Sequence, residues 1–187
     1  MEHKLLDLAK KVSAVFPKYY LAGGTAIMLK HQHRQSYDLD FFNKKWFSFR
    51  HLAKKMRENF NISKEEHHED NIDLIVDNIK VSFVFFPFEN ILKIEKYQGI
   101  RIASDYDLFL NKIYVGGRRI DKRDPFDAAS LYKKYQWPIN QVKKDFDNKF
   151  PDQSFEFALG ALANSEDYPD LAKWTKEVLS EMINQIN

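Results

Sequence analysis

The sequence predicts an α+β fold, in which a small mixed β-sheet in the first half of the chain is flanked by helices and the second half is helical. Two alternating apolar runs, 72–76 and 79–86, are joined by the turn pair Asp77-Asn78 and predict a β-hairpin. An apolar stub that ends in a glycine pair predicts a strand running into a helix. Helical apolar periodicity then recurs to the end of the chain. We therefore expect an α/β core over residues 1–103 and a helical part over residues 104–187.

Local patterns place the elements of the first half. In chain order they are an amphipathic helix over 5–16, a strand over 19–22, a helix capped by Thr25, a strand over 38–42 and a helix over 49–60. Gly23-Gly24 separates the first strand from the second helix. The polar stretch 64–70 has no apolar periodicity and is expected to be a loop, whereas 100–103 predicts a short edge strand.

Capping residues and prolines mark the helices of the second half. Ser104 to Asp107 offers cap residues for one helix, and Pro125 and Pro138 are expected to begin two more. An amphipathic pattern over 171–186 predicts the last helix.

Composition narrows the class of protein. The chain has 187 residues, of which 44% are hydrophobic, enough for a packed core and unlike an intrinsically disordered chain. The formal net charge of +2 is too small to recruit nucleic acid without a local basic face. Cysteine is absent, which removes disulfides, cysteine zinc sites and thiol catalysis and suits a reducing compartment. No run reaches the about 18 apolar residues of a membrane span, so we expect a cytoplasmic protein without a membrane partner.

Two aspartates form the strongest chemical signal. Asp38 and Asp40 are two residues apart on a predicted strand, so their side chains emerge from one face. At roughly 6 Å and an effective dielectric of about 20, two carboxylates repel by about 3 kcal/mol. Mg²⁺ relieves such repulsion, usually through one or two protein carboxylates, and draws its other ligands from water and phosphate. The pair is therefore a candidate Mg²⁺ site for a nucleoside triphosphate, with a solvated strand end as the structural alternative.

The glycine turn supplies the second half of this hypothesis. Without a Cβ, Gly23 and Gly24 let the backbone approach a phosphate, whose charge then faces helix amides and the positive end of the helix dipole. Thr25 adds a hydroxyl donor. Two metal ions bridged by the aspartates could activate an attacking hydroxyl and stabilise departing pyrophosphate. A glycine pair is also common in purely structural turns, and it is the order of glycine turn, helix and Asp-x-Asp that favours the functional interpretation.

An arginine-rich segment in the second half provides further candidate ligands. Arginine forks suit bidentate phosphate recognition, so Arg119 and Arg123 are candidates for nucleotide or RNA contact, and Lys112 is a candidate phosphate ligand. A solvated turn and a solvated lysine are the alternatives. We expect Asp124 and Asp127 to pair with the arginines and brace this loop rather than to bind metal.

These motifs resemble those of a known family. The first motif comprises the segments 21–26 (LAGGTA) and 33–41 (HRQSYDLDF). The later segment contributes a lysine, an arginine and a basic-Asp-x-x-Asp run, namely Lys112, Arg119, Arg123-Asp124 and Asp127. Together they resemble the AbiEii/AbiGii-type nucleotidyltransferases of the DNA polymerase β-like superfamily, over about residues 20 to 131.

The resemblance implies a fold, a reaction and partners. It implies a nucleotidyltransferase fold, Mg²⁺ held by Asp38 and Asp40, and Lys112 as a further catalytic residue. The residues expected to bind the nucleotide are Gly23, Gly24, Thr25, Arg119 and Arg123. Several relatives are toxins of type IV toxin–antitoxin or phage-defence systems, and some modify tRNA acceptor ends. The expected partners are therefore an NTP, tRNA or another RNA, and a cognate antitoxin protein.

One position departs from the superfamily pattern. A third acidic residue usually stands on a following strand, and the best local match places Ser82 there. A hydroxyl is a poorer general base and metal ligand than a carboxylate. Asp73 or Glu89 could substitute for it. The sequence thus predicts an Mg²⁺-dependent nucleotidyltransferase that moves NMP to an acceptor hydroxyl, with a catalytically weakened nucleotide-binding module and a protein-interaction module of the same fold as alternatives.

Overall fold

The computed structural model describes residues 2–186, which divide into two compact units. The first unit runs up to Glu89 and continues with Lys93–Ser104. The second unit contains Asn90–Leu92 and everything from Asp105 onward. No helix in the described residues combines the length and the apolar character that crossing a membrane requires.

The first unit is a mixed sheet with three helices in its described part. The helices are α1 (Glu2–Val15), α2 (Gly23–His31) and α3 (Phe49–Asn59). The strands are β1 (Tyr20–Ala22), β2 (Leu39–Asn43), β3 (Ile62–His67), β4 (Asn71–Val76), β5 (Ile79–Phe85), β6 (Glu95–Tyr97) and β7 (Ile100–Ile102). Their order in the sheet is β3-β4-β5-β2-β1-β7-β6. The pairs β2/β5 and β1/β7 are parallel and the other neighbours are antiparallel.

Strand alternation gives the centre of this sheet one apolar and one polar face. Six side chains of the apolar face are completely buried, namely Leu39, Phe41, Ile72, Leu74, Val81 and Phe83. The residues between them point the other way, and register aligns Asp40 with Ser82 and Ser82 with Asp73. The hydrophobic face therefore fixes the register that brings the polar side chains into one row.

Several predictions for the first unit are confirmed and three are wrong. The hairpin forms as expected, with positive φ at Asp77 (49°) and Asn78 (64°), which a tight type I′ turn requires. Residues 64–67 belong to β3 instead of a loop, because an edge strand exposed to water needs no apolar alternation. The strand β7 is not at the edge, because β6 pairs beyond it. Thr25 does not cap α2, which begins at Gly23 with Ala22 at the capping position.

Helices make up the second unit. They are α4 (Asp105–Tyr114), α5 (Arg123–Tyr135), α6 (Ile139–Lys149), α7 (Phe155–Leu162) and α8 (Lys173–Asn184). α5 begins two residues before Pro125, a position that suits proline because the first-turn amides have no helical partner. α7 is not predicted from the sequence, although Ser154 caps it by accepting a hydrogen bond from the Phe157 amide.

A buried ion pair ties the separate segment of the second unit to its helices. The Asp107 carboxylate accepts hydrogen bonds from the amides of Ile91 (2.8 Å) and Leu92 (3.0 Å) and from Lys149 Nζ (2.7 Å). Neither charged side chain is exposed to solvent. Burial lowers the pKa of Lys149 below its ordinary value, although Asp107 acts in the opposite direction.

Candidate active site

The glycine turn and the second aspartate are in direct contact. Gly23 begins α2 immediately after β1, and β1 pairs with β2 so that Ala22 lies opposite Asp40. The φ angle of Gly23 is +68°, in the region that favours glycine. A Cβ at Gly23 would also overlap Asp40 Oδ2. Both the backbone conformation and the close carboxylate therefore require glycine at this position.

The next turn residue is just as closely packed. A Cβ on Gly24 would overlap the guanidinium of Arg34 and come 3.3 Å from Ser36 Oγ. α2 carries no acidic residue in its first turn, so its N-terminal amides and positive dipole end are not neutralised from within the helix. The sequence pattern does not predict a role for Arg34 or Ser36. Both residues lie in the loop after α2, which brings their side chains close to Gly24.

The Thr25 hydroxyl forms hydrogen bonds within the protein. Its side chain is completely buried, its hydroxyl donates to the Asp38 carbonyl, and Ser36 Oγ lies 2.8 Å away. A contact between Thr25 and a phosphate stays a prediction. Thr25 ties the first turn of α2 to the backbone of Asp38, and so fixes the start of β2.

Asp38 and Asp40 both lie near Lys80, because both carboxylates act electrostatically on that lysine, and their joint role stays a prediction. Asp40 is in β2, and Asp38 directly precedes that strand. In the parallel pairing of β2 with β5, Leu39 is opposite Val81 and Asp40 is opposite Ser82. We call the sheet surface formed by Asp38, Asp40, Lys80, Ser82 and Asp73 the aspartate face.

A lysine and a third aspartate complete this face. Lys80 Nζ lies 2.7 Å from Asp73 Oδ2, and Asn71 Nδ2 donates to Asp73 Oδ1 at 2.7 Å. Burial acts to raise the pKa of Asp73, but hydrogen bonds from Lys80 and Ser82 hold it below its ordinary value. Burial acts to lower the pKa of Lys80, but Asp73 and the charges of the two site aspartates raise it. Lys80 and Ser82 are two residues apart on a predicted strand, and this spacing was the sequence signal that could have placed Lys80 on the same face as Ser82.

The two suggested replacements for a third carboxylate each form an ion pair with a lysine. Asp73 receives the hydrogen bonds just described, and Glu89 is exposed and forms an ion pair with Lys44. Among residues 2–186 no group of three or more His, Cys, Asp or Glu side chains is arranged to hold a metal ion. Asp38 and Asp40 still fit Mg²⁺, because that ion commonly takes one or two protein carboxylates and completes its shell with phosphate and water.

The predicted cationic ligands lie in the second unit, where aspartates hold them. Lys112 Nζ is 2.6 Å from Asp124 Oδ1 and 2.9 Å from Asp127 Oδ2, and all three side chains are nearly or fully buried. Arg119 makes a bidentate contact to Asp124, with its Nε 2.7 Å from Oδ2 and its second nitrogen 2.8 Å from Oδ1. Asp124 thus braces this loop, as expected.

The second arginine is paired in the same way. Arg123 binds Asp121 through Nε (2.9 Å) and a terminal nitrogen (2.6 Å), and its own amide also donates to that carboxylate. The hydrogen bond from Arg123 lowers the pKa of Asp121 to about 2. About half of each arginine side chain, Arg119 and Arg123, is exposed.

Comparison with known proteins identifies the family that has these features. The model of the family described as "Nucleotidyl transferase AbiEii toxin, Type IV TA system" matches residues 6–182. The chain belongs to this family. It is accordingly a nucleotidyltransferase with a toxin-like role, and the family, fold and enzyme class expected from the sequence are confirmed.

Individual proteins are also similar to this chain. An uncharacterized protein of Aquifex aeolicus (strain VF5), aq_aa25, is 28% identical in an alignment 177 residues long that covers 86% of this chain and 82% of that protein. The crystal structure of JHP933 from Helicobacter pylori is similar with a TM-score of 0.59 and 20% identity, over 98% of this chain and 88% of that one. The Megavirus polyadenylate synthase is similar with a TM-score of 0.51 and 13% identity, over 78% of this chain and 38% of that one. These two structures support the fold.

Proposed function

We propose that this AbiEii-family protein uses Mg²⁺ to transfer a nucleoside monophosphate from an NTP to an acceptor hydroxyl of an RNA. The acceptor oxygen forms a bond to the α-phosphorus while the bond from that phosphorus to its bridging oxygen breaks. Pyrophosphate leaves with the electron pair of the broken bond, and the proton of the acceptor hydroxyl passes to water. We place this reaction in the cytoplasm, where NTPs and RNA are found.

The contact between Gly23 and Asp40 is the observation that carries the proposal. It brings the N-terminus of a nine-residue helix, whose amides and dipole suit a phosphate, against one of two carboxylates on a shared sheet face. A nucleoside triphosphate with its Mg²⁺ offers both groups that this juxtaposition suits. The metal would supply charge neutralisation at the phosphates.

The residues of the first unit divide this work. Asp38 and Asp40 would hold the metal, and the backbone at Gly23 and Gly24 would receive the phosphates. Thr25 fixes Asp38 through its carbonyl, which makes it a positioning residue. The roles of three cations at the triphosphate stay predictions, namely those of Lys112, Arg119 and Arg123.

An exposed basic and aromatic surface in the first unit favours RNA as the acceptor. The segment 44–57 carries six of the 29 lysines and arginines and none of the 27 acidic residues, so the rest of the chain is net negative. Lys45, Arg50 and Lys54 are exposed and form no ion pair within the described residues. The segment thus provides the local basic face that binding to a nucleic acid requires and that the small net charge of the chain does not provide.

A braced tryptophan lies beside these cations. Trp46 is 61% exposed, yet its ring packs edge-on against Phe85, with centroids 5.2 Å apart, and against Phe49 at 5.4 Å. An exposed indole held in place by other rings is suited to stack on an unpaired base, at about 1–3 kcal/mol per base. We call Lys45, Trp46, Arg50 and Lys54 the basic ridge. It begins two residues after β2, the strand that contains Asp40.

The transfer reaction is tested with purified protein, Mg²⁺, each labelled NTP and total tRNA. We expect label to join the RNA, and Asp38→Asn or Asp40→Asn to lower the rate at least about a hundredfold, because each removes a metal ligand. Asp70→Asn, an exposed aspartate between β3 and β4, is the matched control and should stay near the wild-type rate. Equal rates in all four proteins would reject the site.

The basic ridge is tested by fluorescence anisotropy with labelled tRNA over a range of salt. Arg50→Ala with Lys54→Ala should weaken binding and reduce the salt slope by about 0.7 for each phosphate that the variant no longer neutralises. Lys173→Ala with Lys176→Ala makes the same charge change on α8 and should leave both quantities near wild type. Trp46→Ala should lower affinity about tenfold. Equal decreases in affinity in the two double variants would indicate nonspecific charge, and an acidic protein partner would predict no effect of Trp46.

The weakened alternative and the antitoxin are tested separately. Mg²⁺-NTP binding by calorimetry without turnover on any RNA would favour a nucleotide-binding module and count against catalysis.

For the toxin role, we propose a cognate antitoxin. Expression of the chain should arrest growth, and Asp40→Asn should relieve the arrest as completely as co-expression of that antitoxin. Growth arrest that persists in Asp40→Asn would show that transfer is not the cause.

A further inference from the structure

The aspartate face carries a lysine where a two-metal site would concentrate carboxylates. Register in the parallel pair β2/β5 sets Asp40 opposite Ser82, and the preceding residues of the same face are Asp38 and Lys80. Adjacent strands are about 4.8 Å apart, so Lys80 lies one strand away from the aspartate pair. We propose that Lys80 is a fixed cation in the position of a second divalent ion, so that the site binds a single Mg²⁺ with the triphosphate.

The contacts of Asp73 anchor Lys80 in this position. Asp73 Oδ2 is 2.7 Å from Lys80 Nζ, and Asp73 Oδ1 accepts from Asn71 Nδ2 at 2.7 Å. His68 Nε2 also lies 3.5 Å from Asp73 Oδ2. Because Lys80 and Asn71 occupy one oxygen each, we assign Asp73 as a positioning residue for the lysine and not as a third metal ligand.

A second divalent ion lacks both ligands and electrostatic support here. Ser82 occupies the strand position opposite Asp40, and the described residues contain no cluster of three metal-binding side chains. An ammonium beside the aspartates repels another cation while it supplies positive charge of its own. Its raised pKa accords with a lysine that stays protonated. Lys80 therefore offsets negative charge at the reacting phosphate and does not accept the proton of the acceptor hydroxyl.

This inference rests on the proposed function, and metal counting tests it independently of turnover. Mn²⁺ is titrated into the full chain with a non-hydrolysable NTP, and bound metal is measured by electron paramagnetic resonance. We expect one Mn²⁺ per chain in the wild type and two in Lys80→Met with Ser82→Asp, which removes the ammonium and adds the third carboxylate. Two Mn²⁺ in the wild type would overturn the proposal, a result that does not depend on any variant folding.

Steady-state kinetics supply the second readout. Lys80→Met should lower kcat about tenfold to a hundredfold with less than a threefold change in the KM for the NTP, and Lys80→Arg should restore most of kcat. Lys64→Met, which removes an exposed lysine of β3, is the matched control and should leave both constants unchanged. Identical kinetics for Lys80→Met and Lys64→Met would overturn the role of Lys80. Failure of the proposed function gives a different result from both outcomes. In that case the wild type would show no Mn²⁺-NTP binding that depends on Asp40, as judged by comparison with Asp40→Asn.

Discussion

Two lysine–aspartate pairs, one in each unit, use the same chemical groups in opposite ways. Asp107 and Lys149 in the second unit have no exposed side-chain surface, and the protein itself supplies the hydrogen bonds to the carboxylate. In the first unit, the side chain of Lys80 is 42% exposed and that of Asp73 is 11% exposed. A buried pair has given up its hydration and depends on its partner, whereas a pair at the surface remains accessible to a ligand. Burial therefore separates an ion pair that holds the fold from one that can act on a bound phosphate.

The ion pairs among Lys112, Asp124, Asp127 and Arg119 share features of both pairs. Their carboxylates, Asp124 and Asp127, are buried as completely as Asp107, but Asp124 also binds the half-exposed Arg119. Ion pairs with this mixture of burial hold the loop between α4 and α5 and keep one guanidinium at the surface.

Breaking the buried pair should give the largest loss of stability. Lys149→Met leaves the Asp107 carboxylate buried without its cation, and we expect the free energy of unfolding to fall by about 3–5 kcal/mol. Urea unfolding followed by circular dichroism at pH 7 measures this change. Lys143→Met on the same helix removes a surface lysine that pairs with Asp147 and Glu156, and should leave the free energy of unfolding near that of the wild type.

The corresponding change on the aspartate face should affect catalysis more than stability. Lys80→Met, which breaks a partly exposed pair, should change stability less than Lys149→Met while it changes kcat more. Similar losses of stability in the two variants would contradict the distinction drawn from burial.

Much of the fold followed from the sequence because apolar periodicity reports burial. The hairpin and the amphipathic helices show clear alternation, and their cores are buried as expected. β3 was not predicted because its polar side chains face water at a sheet edge, and α7 because its run of apolar residues has no polar face. α2 starts at Gly23, where φ is positive and a Cβ would overlap the Asp40 carboxylate, and composition reveals neither feature.

The candidate site was predictable where its residues are close in sequence. The spacing of Asp38 and Asp40 predicts one shared face, and the charges of both aspartates act on Lys80. The ion pair of Lys80 with Asp73 depends on the register between β4 and β5 and was therefore not accessible. The engagement of Thr25 with Asp38 depends on the loop after α2, whose path no local pattern defines.

Gly23 allows the effect of close packing on the site to be separated from backbone strain. Gly23→Ala places a Cβ at positive φ and against Asp40, and we expect a decrease of about 1–2 kcal/mol in stability and of up to about a hundredfold in transfer rate. Gly99 also has positive φ (88°) but has open space around its Cβ position. Gly99→Ala carries the backbone strain without the overlap, so it should lose less stability and change the rate less than twofold. Equal decreases in rate would mean that the packing of Gly23 against Asp40 is unimportant.

The smallest expected effect concerns an exposed ion pair of the second unit. Arg123 lowers the pKa of Asp121 from 3.8 to about 2, so the folded state favours the ionised carboxylate. The resulting stabilisation is present above about pH 4 and is lost as pH falls through about 2. Because the Arg123 side chain is about half exposed, solvent screens the pair, and Asp121→Asn should change stability at pH 7 by less than about 1 kcal/mol. Urea unfolding between pH 2 and pH 7 should show the difference between wild type and Asp121→Asn shrinking as the pH falls, whereas a difference that grows towards pH 2 would mean that ionised Asp121 does not stabilise the fold.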